Sequence, residues 1–339
     1  MKIDRFKKVP RWPVLIASLL IFLGGIAFLA WAGSPIDGRK ATVIVEIPKG
    51  SSFTRVVDLI EQAGMVSNRP CFYMLSIALG ATRQIKAGEY EFSTAMTPIG
   101  LIDRLVRGEI KKYPILIPED FTVREIADRL AAQKLVNEES FMALASDRAF
   151  LRTLGIEADS VEGYLYPDTY HFDRSMTEKD VMRKMVGRFR EVVTRAMFAE
   201  AASMGMTPEE FVILASMIGK ESGCKEEKPF ISAVFHNRLK RGMKLQCDPT
   251  AVYRLEGSPA VVMKRHLQKD TPYNTYRIGG LPPGPIANPG LDSLKAALQP
   301  AQVNYLYFVS KNDGSHEFSS TLTAHNRAVI KYQIERQKD

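Results

Sequence analysis

One carboxylate in this chain falls where charge is costly. Between Thr207 and Gly223 the order of residues marks a helix: Thr207 is an N-cap, Pro208 fits the first helical position, and Glu210 completes a capping box. Phe211, Leu214, Ala215 and Ile218 recur at i, i+3, i+4 and i+7, which predicts one buried face. Continuing the count sets Glu221 above Leu214 and beside Met217, with Lys220 on the other side and Gly223 as the expected stop. Apolar neighbours and the negative end of the helix dipole both disfavour an ionised Glu221. A glutamic acid kept neutral near neutral pH can act as a general acid. The competing reading turns Glu221 out to water, as terminal-turn glutamates usually do.

Other chemistries find little support. The five histidines (171, 236, 266, 316, 325) are scattered without metal-ligand spacing, so no metal site is expected. A Gly-x-Ser-x-Gly elbow, a P-loop and a Rossmann fingerprint are all missing from any strand–helix context, and no cofactor is expected. Serine or cysteine nucleophiles lack a partner set. One acid among aromatics and amides suits sugar cleavage, which needs a proton for the leaving oxygen and platforms for pyranose rings.

The elements around Glu221 begin at about Asp159, where the sequence becomes dense in motifs. Glu162 to Tyr170 is aromatic and broken by Pro167. A helix is predicted from Pro229 to Arg241, ended by Gly242, and a strand from Met243 that closes in a turn at Asp248-Pro249-Thr250. Tyr273 to Tyr276 follows, then a run from Ile278 to Gly290 in which eight of thirteen residues are Pro or Gly. Ile278, Leu281 and Ile286 make that run a stiff, packed loop rather than a flexible linker. A helix, a strand over Tyr305–Val309 and a closing helix after His325-Asn326 complete the chain. Upstream, Ile47-Pro48 to Val66 and Ile117-Pro118 to Val136 repeat one pattern: strand, polar cap, amphipathic helix. The first copy continues into a helix near Pro70 to Leu79 and a strand over Ile85–Phe92. This βααβ stretch resembles a LysM-like module, which binds N-acetylglucosamine-containing glycans; a spacer without ligand is the alternative.

Val14 to Ala32 is an apolar run without charge, long enough to cross a bilayer. Lys2, Arg5, Lys7, Lys8 and Arg11 precede it, which predicts a cytoplasmic N-terminus and an exported remainder. Trp12 and Trp31 bracket the run. The alternative is a signal peptide cleaved near Ala30-Trp31-Ala32. The net charge of +8 is mostly topological: residues 1–40 hold seven Lys/Arg against two Asp/Glu, and the rest 39 against 36. Nucleic acid is therefore discounted as a partner. Cys71, Cys224 and Cys247 make an odd count. A Cys224–Cys247 disulfide is one reading, three small buried hydrophobes the other.

Several motifs occur together in one order. Glu162-Gly163-Tyr164 leads to Pro167-Asp168-Thr169-Tyr170, then Ala215-Ser216-Met217-Ile218, Lys220-Glu221-Ser222 and Asn237-Arg238-Leu239. Met243 to Thr250, Tyr273 to Tyr276, Gly280 to Gly290 and His325-Asn326 follow. This order resembles the YceG-like family of endolytic murein transglycosylases, strongly over residues 160–330. The resemblance implies a bacterial inner-membrane enzyme, single-pass, with its catalytic domain in the periplasm, acting on peptidoglycan glycan strands and fixing their length. Contact with cell-wall synthases is implied by the family alone. Glu221 matches the family's catalytic glutamate, and Glu221-Ser222 resembles the Glu-Ser pair of other lytic transglycosylases. Cys247 departs from relatives that carry Thr.

The mechanism so implied uses one acid: Glu221 protonates the glycosidic oxygen, the muramic C6 hydroxyl attacks its own anomeric carbon, and a 1,6-anhydro end results. Asp248 is a second acid or a turn and N-cap residue. Gln246, Tyr273 and Asn274 hold N-acetyl groups or pack a loop. Glu162 has no assigned role. A glycan-binding scaffold without activity and a lysozyme-like hydrolase are the rivals. The expected fold is α+β: a tail (1–13), a transmembrane helix (14–34), a small LysM-like βααβ module (41–95), a second α+β repeat or connector (96–158) and a mixed α/β catalytic domain (159–339).

Overall fold

A computed structural model describes residues 12–38, 40–255 and 262–334. Most of the expected cytoplasmic tail lies outside the described residues. The chain divides into two compact units, one up to Tyr113 with Asp173–Ser175, the other of Pro114–Phe172 and Met176 onward.

The first unit opens with α1 (Trp12–Gly33), a 22-residue helix long and apolar enough to cross a membrane. Then come β1 (Thr42–Ile47), α2 (Phe53–Gln62), α3 (Arg69–Ala78), β2 (Gly88–Ser93) and α4 (Pro98–Arg107). β1 and β2 pair antiparallel, Thr42 opposite Ser93 and Ile47 opposite Gly88. Val45 and Ile47, Val56, Val57 and Ile60, Phe72 and Leu75, and Tyr90 and Phe92 form one core, completed by Leu101, Ile102 and Leu105 of α4. α4, upstream of the boundary expected at 159 but beyond that expected at 95, thus belongs to this unit because its apolar face has no other place to be buried. α1 joins without a linker. Ile36 N–H donates to Met96 O at 2.9 Å and Asp37 N–H to Thr94 O at 2.8 Å.

The second unit contains β3 (Tyr113–Leu116), α5 (Val123–Ala132), α6 (Glu138–Leu144), α7 (Arg148–Thr153), β4 (Thr169–Phe172), α8 (Glu178–Val192) and α9 (Arg195–Ser203). α10 (Pro208–Glu221), α11 (Lys228–Lys240), α12 (Asp248–Val252), α13 (Lys264–Leu267), α14 (Leu291–Leu298), β5 (Tyr307–Ser310), β6 (His316–Ser319) and α15 (Leu322–Val329) follow. Its strands form two small sheets, β3–β4 and the antiparallel β5–β6. The strand–cap–helix pattern recurs at both expected places. Ser52 caps α2 by accepting Arg55 N–H, and Thr122 caps α5 in a reciprocal capping box with Glu125.

α10 is the centre of this unit. Its capping box is formed by Thr207 and Glu210 as expected. The predicted one-sided burial is exceeded: every residue from Phe211 to Gly219 is buried, because α9, α11, α12 and α14 all pack on it. The helix also ends one residue earlier than Gly223. Ser222 leaves it extended (φ −147°, ψ 131°), and its Oγ accepts Cys224 N–H at 3.0 Å. The strand expected from Met243 is absent among the described residues: this stretch has no partner strand, and α12 begins at Asp248. The Pro/Gly run packs as predicted, with Ile286, Ala287 and Asn288 fully buried.

Candidate active site

Glu221 closes α10, and its carboxyl group faces the start of α12. Asp248 is the first residue of α12, with Cys247 in the cap position, so the Asp248 N–H has no partner inside its own helix. Glu221 is half-buried as a residue. Burial raises the pKa of Glu221 to about 7, and the Asp248 charge pushes the same way; the Cys247 thiol, the Asp248 N–H and Arg238 oppose them. Burial was expected from the apolar stripe. The Asp248 contribution was not.

Arg238 organises the wall beside this acid. It is 7% exposed, and its guanidinium donates to Leu306 O at 2.6 Å, Leu245 O at 2.8 Å, Lys244 O at 3.2 Å and Gln246 Oε1 at 3.2 Å. Those bonds replace the ladder that a strand over 243–247 would have made. Gln246 sits in the left-handed region (φ 51°), its N–H on Thr275 O at 3.3 Å. Cys247 N–H donates to Thr275 Oγ1 at 2.9 Å, and Thr275 and Thr250 hydroxyls meet at 2.8 Å. Asp248 accepts the Tyr276 hydroxyl. Glu221, Gln246 and Asp248 therefore share one neighbourhood. Ser222 borders it, its hydroxyl committed to the Cys224 turn. Arg238, Thr250, Thr275 and Tyr276 belong to motifs legible in the sequence, without a role of their own assigned there.

Glu162 and Tyr273 belong to a second cluster. Glu162 is 4% exposed. It accepts Val123 N–H at 3.0 Å, Asn288 Nδ2 at 2.9 Å and the Tyr253 hydroxyl at 2.9 Å. It ties the start of α5, the Pro/Gly loop and the end of α12 together. Burial raises its pKa to about 7, against the Tyr253 and Val123 hydrogen bonds. Tyr273 packs on Tyr253, ring centres 4.7 Å apart, with the Arg254 guanidinium 5.5 Å from the Tyr273 ring. Asn274 is fully buried and spent on its own loop: Nδ2 donates to Leu267 O and Lys269 O, and Oδ1 accepts Tyr276 N–H.

All three cysteines are free thiols. The Cys224–Cys247 disulfide, one of the two readings, is not formed. The Cys224 sulfur faces Glu226 Oε2 at 3.2 Å, whereas Cys247 is buried against Glu221. Among the described residues no group of three His, Cys, Asp or Glu is arranged to hold a metal ion. The concave surface lined by Arg148, Arg152 and Asp159 carries no residue of α10 or of the 246–276 segment.

The YceG-like family model matches residues 45–331, and the chain belongs to that family. It is 32% identical over 309 residues to an endolytic murein transglycosylase of Bacillus subtilis, covering 86% of this chain and 85% of the relative. An endolytic murein transglycosylase of Streptococcus pneumoniae is 26% identical over 360 residues; the match takes in 94% of this chain and 65% of that longer protein. A crystal structure of a yceG-like protein from Listeria monocytogenes aligns with a TM-score of 0.60 at 31% identity, covering 86% of this chain and 100% of the other.

Proposed function

We propose that this protein is an endolytic peptidoglycan lytic transglycosylase in which Glu221 is both acid and base. The observation that carries the reading is a carboxyl group that burial raises to a pKa of about 7, on a residue only half-buried, at the end of the helix on which α9, α11, α12 and α14 pack. Glu221 protonates the oxygen linking N-acetylmuramic acid to N-acetylglucosamine, so that the bond to the muramic anomeric carbon breaks with a neutral leaving group. The muramic C6 hydroxyl then attacks that carbon and gives its proton to Glu221. A 1,6-anhydro ring closes, the acid is restored, and no water is consumed.

Asp248 would serve a hydrolase as base. Its carboxylate is instead engaged by the Tyr276 hydroxyl, which favours a supporting role. Gln246, fixed by Arg238, and Ser222 are the residues best placed to line the sugar site. Glu162, Tyr273 and Asn274 act through packing. We further infer that residues 41–95 form a LysM-like glycan-binding module, on the strength of the β1–α2–α3–β2 order. The α5 segment of the expected connector serves the catalytic unit, since Glu162 and Asn288 bind it. α1 anchors the chain in the cytoplasmic membrane, and the basic residues before it favour a cytoplasmic N-terminus.

The test is digestion of isolated peptidoglycan followed by mass spectrometry of new termini. Anhydro ends from wild type and none from Glu221→Gln are expected. Reducing ends carrying added water would make the protein a hydrolase; binding without release by wild type would make it a scaffold.

A further inference from the structure

α3 is a surface helix whose outer side is apolar. Its inner side, Phe72, Leu75 and Ser76, is buried. Pro70, Met74, Ile77 and Ala78 stand at i, i+4, i+7 and i+8 on the opposite side, and all four are exposed. Met74 is 56% exposed, Ile77 65%, and Leu79 at the helix end 50%. No charged side chain interrupts this face. Arg69, the one charged residue of α3, pairs with Asp58 at 2.6 Å and Glu61 at 2.8 Å. The other helices on the same core differ: α2 exposes Arg55 and Gln62, and α4 exposes Asp103 and Arg107. A surface helix ordinarily turns charge toward water. An unbroken apolar face marks a surface that something else covers.

The seat of α1 says what that is. Phe28 and Trp31, in the last two turns of α1, pack against the core of this unit, and Ala32 is fully buried. Trp31 Nε1–H donates to Ser67 Oγ at 3.1 Å. Ser67 directly precedes Asn68, the N-cap of α3. A tryptophan at the end of a membrane span sits at headgroup depth, so the start of α3 is at that depth too. The tie has no slack, because the N–H groups of Ile36 and Asp37 are already bonded to Met96 O and Thr94 O. Arg83, exposed and four residues past Leu79, adds a positive charge just beyond the apolar face, which suits anionic headgroups.

We propose that the apolar face of α3 lies in the headgroup region of the bilayer that α1 crosses, as a second membrane contact of the first unit. This rests on α1 being the membrane anchor. A few apolar side chains bind a bilayer only weakly and reversibly, and the contact forms because α1 delivers α3 to the surface.

The full chain with Cys71→Ser and Cys224→Ser is given one reactive position, Ile77→Cys on α3 or Arg55→Cys on α2; Cys247 is fully buried. Each is labelled with a nitrobenzoxadiazole dye and reconstituted into phosphatidylethanolamine–phosphatidylglycerol vesicles containing nitroxide-bearing lipid. The dye at 77 should lose about half of its emission to the lipid nitroxide and be shielded from iodide about threefold, and the dye at 55 should show neither. Met74→Glu in the chain labelled at 77 should abolish most of that quenching, because a charge is expelled from the interface. Equal quenching at the two positions overturns the proposal, and so does quenching that Met74→Glu leaves unchanged, since the dye itself then makes the contact. Shielding from iodide without quenching by lipid also overturns it, with a second copy of the chain as the cover. A chain that fails to float with the vesicles would instead remove the anchor reading, and this inference with it.

Discussion

Two buried glutamates, each with its pKa raised to about 7, divide into a reactive group and a fastening. Glu162 accepts the first backbone N–H of a helix, from Val123 at the start of α5. It is closed off by Asn288 and Tyr253 and is 4% exposed, whereas Glu221 is half-buried as a residue. As a general acid, Glu221 must carry its proton in the resting enzyme. Activity should therefore be flat below about pH 6 and fall roughly tenfold per unit above about pH 8, a limb that kcat/KM against pH would trace. Glu162 should behave as structure. Its raised pKa means that the folded protein binds the proton more tightly than the unfolded chain, so its contribution to stability is full below about pH 4.5 and lost as pH rises through 7. Denaturant melts at pH 5 and pH 8 should differ less in Glu162→Gln, by up to about 3 kcal/mol. Glu162→Ala, which strands three donors, should lose about 3 kcal/mol at pH 8 while Glu162→Gln stays active.

At the scale of elements, α10 matters because α9, α11, α12 and α14 are all built against it. Gly163, next to Glu162, shows how tight that assembly is. Its φ is +89°, and a Cβ there would meet Pro285 Cγ at 2.6 Å and Val212 Cγ1 at 2.8 Å. Neither a proline ring nor a core valine can step aside, so Gly163→Ala should cost about 3 kcal/mol or more and show as a lower melting temperature. Gly187, within α8 with nothing inside 4 Å, is the matched comparison: Gly187→Ala should stabilise by about 0.5–1 kcal/mol. Gly219 adds a reason for its own residue type, since a Cβ would fall 1.8 Å from Asp120 Oδ1. The last turn of α10 is thus pressed against the 119–121 segment on one face while Glu221 faces α12.

For the whole molecule, the two units keep separate hydrophobic cores, and the residues proposed for catalysis all lie in the second. α1 is not needed to build Glu221's surroundings. A soluble fragment of residues 41–339 should therefore release anhydro-ended products from isolated sacculi at a rate within a few-fold of the full chain. Sedimentation with membrane vesicles should separate them, the full chain pelleting and the fragment staying in solution. Loss of product release in the fragment, with its fold intact by circular dichroism, would show that α1 does more than anchor.

Local order was legible because it is local. The caps at Thr207, Ser52 and Thr122, the helical spacing of Phe211 to Ile218, the apolar span of α1 and the packed Pro/Gly run each depend on residues within a few positions of one another. Glu221 was readable as a buried acid for the same reason. What surrounds it was not. The strand expected from Met243 alternates correctly, yet Arg238 and Thr275, distant in the chain, take its hydrogen bonds and turn it into a wall. Glu162 had no readable role, since its three donors come from residues 123, 253 and 288. Cys247 looked like a disulfide partner and is a neighbour of the acid. Sequence spacing encodes which face of a helix is apolar; only long-range packing decides which polar groups are brought against that face, because hydrogen bonds between distant segments leave no periodic trace along the chain.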